Sequence, residues 1–372
     1  MKIAIIHDQL REFGGAERVL VMLKRMFPHA PVYTSTYDPN SLGEHKNLIK
    51  KWDVRVSWFG KIPLVNKLYS PFRFVTPLIW GSFDLSGYDL VISSTGSWMC
   101  KGVKTKKSTI HISYIHHPPR YLYGYETAIE WQKNPLIRIY GTFINHFLRI
   151  WDFEVTQNPD FLIANSVETA RRIKKFYRRK STVIYPSVLI PKKIEDRRLK
   201  TENYYITVSR LAKAKHIDLL IKTANTYKIQ LKIIGIGRDM EFLKSLAGKT
   251  VTLLGNVGDH ELSTLYKNAR AFLFASVDEE FGIAPIEAMG HGLPVIAYAS
   301  GGLIETVHEE QNGYLFHKQD KESLYEKIAA FERLSEQDLI RMKQNARKEA
   351  EKYTEKIFQK KISEFINSKL KS

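Results

Sequence analysis

Cysteine is nearly absent: Cys100 is the only one in 372 residues. A single cysteine excludes an internal disulfide and fits a reducing compartment. With no partner at metal-ligand spacing, it reads as buried filler. Long apolar runs are also missing. No stretch reaches the roughly 18 uninterrupted apolar residues of a membrane span, and MKIAIIHDQL at the start lacks a signal-peptide core. There is no repeat and no low-complexity segment. No Walker loop occurs, and no G-x-G-x-x-G follows the first apolar run, which argues against a dinucleotide-dependent dehydrogenase or epimerase. Acid is in short supply, 39 Asp and Glu against 57 Lys and Arg, for a net charge of +18. That balance implies an anionic partner: nucleic acid, anionic lipid or a phosphate-bearing substrate. Zinc-finger, RNP and helix-turn-helix signatures are all lacking. The expected partners therefore do not include nucleic acid, and a nucleic-acid-binding protein stays only as a remote alternative.

The chain is too long for one ordinary core, so two domains are the default. Apolar runs at Lys2–His7, Asp89–Ser94, Thr109–Ile115, Asp160–Asn165 and Thr182–Tyr185 alternate with helical or glycine-bearing segments. A second series starts at Tyr204–Ser209 and continues through Leu231–Ile234, Val251–Leu254, Ala271–Ala275 and Val295–Ala299. Short buried strands separated by helices predict two parallel-sheet α/β domains. The charged stretch Ser187–Asn203 reads as the linker between them. The predicted domains are therefore 1–186 and 204–352, with amphipathic helices at Lys321–Leu334, from Ser335 to about Glu351, and at Tyr353–Leu370.

Chemistry concentrates between Ala271 and Gly292, AFLFASVDEEFGIAPIEAMGHG. A strand, an acidic turn and a helix with Pro285 in its first turn follow one another. Glu279 and Glu287 are separated by seven residues, at the strand end and in the helix. Open parallel sheets bind ligands in the crevice beyond their strand ends. By themselves, two acids there are equally what a helix dipole favours. Gly14-Gly15, between the first strand and a helix over Ala16–Phe27, suits close backbone approach to a phosphate. Arg210 and Lys215 follow the first strand of the second series. His116 and His117 end the strand Thr109–Ile115, and Arg120 follows them. His111 lies too far along that strand to share a metal with His116.

Three stretches bear on surfaces. Val56–Trp80 is aromatic and apolar but broken by Lys61, Pro63, Lys67, Pro71, Arg73 and Pro77. It fits either a membrane interface or two short core helices. Seven of the ten residues 171–180 are basic, which is either a solvated helix face or an attraction to anionic lipid. Lys101, Lys104, Lys106 and Lys107 read as a solvated basic turn.

Taken in order, GGAER, the 56–103 region, SYIHHPPRY, Arg-Leu-x3-Lys and E-x7-E with Ala-Met-Gly resemble family 4 of the retaining glycosyltransferases, which have the GT-B fold. SYIHHPPRY is similar to a signature of O-antigen and polysaccharide-type mannosyltransferases. The resemblance covers nearly the whole chain. It implies two Rossmann-like domains facing a cleft, with the final helix, 353–372, packed back on the first. It implies a nucleotide-diphosphate sugar as donor, best GDP-mannose with a UDP-sugar as alternative. The acceptor would be a glycan or lipid-linked glycan in surface polysaccharide synthesis. Donor-binding residues would be Gly14, Gly15, Arg210, Lys215, Phe281, Gly282 and Glu287, with Arg210 and Lys215 on the phosphates and Glu287 on ribose. The glycine turn Ser300-Gly301-Gly302 would offer further amides to those phosphates. Catalytic roles fall to His116 and Glu279, and the acceptor side to His117 and Arg120. Two positions depart from the family pattern: His117 replaces a threonine, and His216 stands where glycine is usual. Asp-x-Asp does not occur, in keeping with a metal-independent enzyme, and no cofactor is expected. The implied location is cytoplasmic, peripheral on the inner face of an anionic plasma membrane.

Overall fold

The computed structural model describes residues 1–63, 65, 70–127, 131–191 and 202–370. Most of the predicted linker, 192–201, lies outside them, as does Lys67. The chain divides into two compact units. One comprises Met1–Tyr125, Glu130–Ser187 and Phe358–Ser372; the other comprises Glu126–Ile129 and Val188–Ile357.

The first unit holds a seven-stranded sheet: β1 (Ile3–His7), β2 (Val32–Thr34), β3 (Val54–Val56), β4 (Leu90–Thr95), β5 (Ile110–Ile115), β6 (Phe161–Ala164) and β7 (Thr182–Val183). Its order is β3-β2-β1-β4-β5-β6-β7, with every pairing parallel. The order reverses between β1 and β4, the topological switch point at which such sheets place ligands. Register sets His7 beside Ser94 across that junction. The second unit repeats the plan with β8 (Tyr205–Val208), β9 (Leu231–Ile234), β10 (Val251–Gly255), β11 (Phe272–Phe274), β12 (Val295–Tyr298) and β13 (Gly313–Phe316). Its order is β10-β9-β8-β11-β12-β13, also parallel, reversing between β8 and β11. The fold is therefore α/β, two Rossmann-like parallel sheets of the GT-B kind.

Eight helices matter here: α1 (Gly15–Met26), α2 (Pro135–Thr156), α3 (Val167–Tyr177), α4 (Ile217–Tyr227), α5 (Ile283–Gly290), α6 (Lys321–Glu332), α7 (Glu336–Glu351) and α8 (Glu355–Leu370). Apolar residues at helical spacing on α1, Val19, Leu20 and Leu23, bury against β1 and its neighbours. Phe358, Ile362 and Ile366 of α8 enter the same core, although α8 follows the second unit in sequence. Helix α2 carries no reading from the sequence. Asn134 caps it, its side chain accepting the Leu136 and Ile137 amides at 3.0 and 3.2 Å, and Pro135 fits the first turn.

The expected solvated basic turn at 101–107 fails at one of its four lysines. Lys104, Lys106 and Lys107 are exposed. Lys101 is 1% exposed, and its ammonium lies 2.5 Å from Asp152 Oδ1 on α2. The hydroxyls of Tyr123 and Tyr177 donate to the other carboxylate oxygen, each at 2.8 Å. The basic run 171–180 is likewise partly engaged within the fold. Arg171 and Arg172 pair with Glu168, and Arg179 donates to backbone carbonyls of residues 156, 159 and 160. Val56–Trp80 splits its side chains: Phe59, Ile79 and Trp80 are core, whereas Trp58, Ile62, Phe72, Phe74 and Leu78 are exposed. Cys100 is buried.

Candidate functional site

In the second unit, the loops after β8 and β11 meet at the switch point. Lys215 Nζ lies 2.5 Å from Glu279 Oε2, and the Ser276 hydroxyl lies 2.9 Å from the same oxygen. The two side chains keep 17% and 16% exposure. The pair is therefore shielded enough to be ordered and open enough to meet a ligand. The acidic turn is held by its backbone. Asp278 takes a left-handed conformation (φ 55°), and its amide donates to Ser300 Oγ at 2.9 Å. Gly302 N–H donates to the Glu279 carbonyl at 2.8 Å. Gly301 has φ 58°, and a Cβ there would sit 2.0 Å from that carbonyl oxygen. This glycine turn thus packs directly on the Glu279 backbone, and Gly302 commits its amide to protein rather than to a phosphate.

The remaining residues expected to bind the donor fall unevenly around this pair. Arg210 is exposed at the start of the β8 loop. Gly282 precedes α5 with φ 89°, and Glu287 is half-buried on α5. The Phe281 ring is buried 5.1 Å from the Tyr353 ring, so a ligand would reach that residue through its backbone only. His216 explains one departure from the family pattern. It adopts φ 47°, ψ 40° ahead of α4, a conformation that glycine enters without penalty and an L side chain does not. Its Nε2 lies 2.9 Å from Glu126 Oε2.

In the first unit the strand ends carry a buried polar chain. His116, 7% exposed, follows β5, and its Nε2 lies 2.8 Å from Ser94 Oγ. Ser94 Oγ is 3.1 Å from His7 Nδ1, and His7 Nε2 is 3.3 Å from Glu17 Oε1 on α1. Glu17 Oε2 accepts the Gly14 amide at 2.8 Å. That amide of the glycine pair is therefore held by protein, leaving the following residues of the first α1 turn as its donors toward an anion. Beside this chain, buried Asp8 accepts the amides of Gly96, Trp98 and Cys100 at 2.8, 2.8 and 2.9 Å, fixing the loop after β4. His117 is half-buried: its Nδ1 lies 3.0 Å from the Pro118 carbonyl, and a Cβ on Gly96 would meet its Nε2 at 3.0 Å. Arg120 is half-buried at the start of the next turn. His111 faces inward, 2.9 Å from Ser93 Oγ, and burial pushes its pKa down to about 3.

Sequence reading missed His7, Asp8, Glu17 and Ser94. One signal was present: Glu17 stands three residues after Gly14, the spacing at which an acid reaches back to the residue before a helix.

Residues 190–349 match the family described as glycosyl transferases group 1. An uncharacterized glycosyltransferase of Methanocaldococcus jannaschii is 33% identical over 132 residues, spanning about a third of each protein (33% of this chain and 34% of that one). The alpha-1,3/1,6-mannosyltransferase ALG2 of Rhizomucor pusillus is 23% identical, with 85% of this chain and 80% of that protein aligned. Among solved structures, Anabaena HepE in complex with UDP and glucose superposes with a TM-score of 0.71 at 18% identity, covering 99% of this chain and 100% of that one.

Proposed function

We propose that this chain is a retaining, metal-independent glycosyltransferase of family 4, moving mannose from GDP-mannose to a glycan or lipid-linked glycan in surface polysaccharide synthesis. The observation that carries the reading is the meeting of Lys215 and Glu279 at the β8–β11 switch point, inside the stretch that matches the glycosyl transferases group 1 family. Breaking a sugar–phosphate bond builds charge on the leaving diphosphate, and without a metal fixed cations must meet it. Arg210 and Lys215 serve that need. When a diphosphate takes the Lys215 ammonium, the Glu279 carboxylate is released to accept hydrogen bonds from sugar hydroxyls. Glu287 binds the ribose. His116 is the second catalytic residue of this reading, and His117 and Arg120 are its acceptor-side residues. The acceptor oxygen bonds to the anomeric carbon as the carbon–phosphate oxygen bond breaks. The hydroxyl proton passes to the departing phosphate oxygen, on the same face, which retains configuration.

Mannose rests on SYIHHPPRY and on the ALG2 relative. A UDP-sugar is the second reading, favoured by the UDP and glucose bound in the Anabaena neighbour. A thermal-shift screen against GDP, UDP, ADP and their sugar conjugates separates the two. A ligand at a hundred times its Kd stabilises by about 2.7 kcal/mol. Stabilisation by GDP and GDP-mannose is expected. Turnover with UDP-hexoses and none with GDP-mannose would remove the mannosyl assignment, and silence toward every nucleotide would remove the donor site. Unchanged turnover in EDTA and an NMR-determined α-configured product are the expected checks on metal independence and retention.

The second partner in this reading is an anionic membrane on the cytoplasmic side. No helix among the described residues is long and apolar enough to cross a bilayer. What supports a surface contact is α2, whose outward stripe is apolar where a globular helix is polar. Leu136, Tyr140, Phe143, Phe147 and Ile150 recur every three or four residues and are 43–78% exposed. The Tyr140 hydroxyl donates to the Pro71 carbonyl at 2.6 Å, bringing the stripe beside exposed Phe72 and Phe74. From Pro135 to Trp151 the only fully charged side chains are Arg138 and Arg149, both exposed. A lipid surface with anionic headgroups fits that combination, whereas a second copy of the stripe would oppose like charges. Co-sedimentation with phosphatidylglycerol vesicles is expected at low salt and is lost in high salt. Phe143→Asp with Phe147→Asp should abolish it. A salt-insensitive dimer dispersed by the same double variant would replace the membrane with a second copy.

A further inference from the structure

Two arginines of the first unit show what a structural guanidinium does. Arg149 donates to the Leu122 carbonyl at 2.9 Å, and Arg179 donates to the carbonyls of residues 156 and 159 at 2.8 and 2.6 Å. Arg73 does neither. It is half-buried, and its Cζ lies 4.0 Å from the centre of the Tyr121 ring. Its Nε is shut off from solvent with no hydrogen-bond partner. Among the described residues no carboxylate or carbonyl engages its guanidinium. The two terminal nitrogens are not sealed in this way. An aromatic face holds a guanidinium in place without using its N–H groups. The result is a fork that is fixed and still has donors to offer.

The fold says what that fork meets. Tyr121 follows Arg120, and its hydroxyl donates to the Ser97 carbonyl at 3.1 Å. Gly96, the residue before, lies against the His117 ring. Arg73 therefore stands on the same loops as the two residues assigned to the acceptor side. In sequence it is flanked by Phe72 and Phe74, 41% and 47% exposed. The nearby Pro71 carbonyl accepts the Tyr140 hydroxyl of α2. Arg73 thus links the apolar stripe proposed to touch lipid with the residues proposed to face the acceptor. A cation flanked by side chains that enter a bilayer surface sits at the depth of lipid phosphates.

We infer that Arg73 is an acceptor-binding residue and that its ligand is a lipid-linked phosphate, the phosphate or diphosphate that joins a glycan to its lipid carrier. This rests on the proposed transfer to a lipid-linked acceptor and narrows it: the acceptor is held by its phosphate as well as by its sugar. A planar guanidinium matches two phosphate oxygens at once, whereas an ammonium offers a point charge. Stacked on Tyr121, the fork is ordered in advance, so little side-chain freedom is lost on binding.

The experiment compares phosphatidylcholine vesicles carrying polyprenyl diphosphate with vesicles carrying phosphatidylglycerol at the same surface charge. Co-sedimentation reads the affinity for each. The wild type should prefer polyprenyl diphosphate. Arg73→Lys keeps the charge and loses the fork. It should lower that affinity about ten-fold, the scale of one charge-assisted hydrogen bond, with phosphatidylglycerol binding unchanged. Arg73→Gln should lower it at least as far. Equal affinity of the wild type for the two vesicles, or the same preference in both variants as in the wild type, overturns the inference. A parallel fall on both vesicles makes Arg73 a contact to bulk headgroups and also overturns it. So does a lower melting temperature in both variants with the preference kept, which leaves Arg73 as a brace on Tyr121. The parent reading fails separately. The thermal response to nucleoside diphosphates reports the donor site, which these variants leave alone, and wild-type binding to phosphatidylglycerol reports the membrane contact.

Discussion

Each unit holds a lysine ammonium 2.5 Å from a carboxylate oxygen, and only the surroundings differ. Lys101 and Asp152 are 1% and 0% exposed, and two tyrosine hydroxyls complete the carboxylate's hydrogen bonds. Lys215 and Glu279 sit at a switch point with about a sixth of each side chain open. A sealed pair has no alternative partner, and removing one member strands a charge in a medium that cannot solvate it. A half-open pair can exchange its partner for a ligand. Distance does not separate a scaffold from a site here; access does.

The most damaging way to test that contrast is Asp152→Asn. It should destabilise the protein by about 3–5 kcal/mol, the range for stranding one member of a buried pair, as read by urea unfolding. Loss of less than about 1 kcal/mol would mean that the sealed pair is not sealed. The mirror experiment is Glu279→Gln and, separately, Lys215→Ala. Each should lower turnover at least ~100-fold while moving stability by no more than the ~1 kcal/mol typical of accessible pairs. Wild-type rates in both would end the site assignment, and a large stability loss would make the two pairs alike.

A subtler probe is acid. His111 has a folded pKa of about 3 against an ordinary 6.5, because burial disfavours the imidazolium. The unfolded chain therefore binds a proton that the folded one refuses, and stability contributed above pH 6.5 drains away as pH falls toward 3. At pH 5 the loss is about 2 kcal/mol. His111→Gln should flatten the fall in melting temperature between pH 6.5 and 5; an unchanged slope would assign acid sensitivity elsewhere. The smallest expected effect is at His216. Glycine there relieves a left-handed conformation worth roughly 1 kcal/mol but forfeits the Glu126 contact. His216→Gly should shift stability by less than about 1 kcal/mol in either direction, and a larger loss would make the Glu126 contact structural.

Much of this frame was legible in the sequence because parallel strands announce themselves. Ile3–His7 and Phe272–Phe274 are short apolar runs followed by glycine-bearing turns, and both became central strands beside a switch point. Glu279 and Lys215 were found because each sits a few residues past such a run. Helix α2 was invisible for a physical reason. Its helical periodicity is inverted: the apolar stripe is the exposed one, and the buried face carries Asn145, Asp152 and Thr156, so the usual reading of apolar as inward does not place it on a core. Lys101 was misread because its partner lies 51 residues away on that unseen helix. The buried polar chain of the first unit draws on residues 7, 17, 94 and 116, far apart in sequence, and strand order and register bring 7, 94 and 116 together.

The position of α8 also orders events in time. Phe358, Ile362 and Ile366 are part of the first unit's core, yet they are translated after all of the second. During synthesis the amino-terminal unit must therefore wait with an open apolar surface while its successor emerges and folds. The usual vectorial order, first domain first, is broken: the first unit is completed only by residues that follow Ile357, the last of the second.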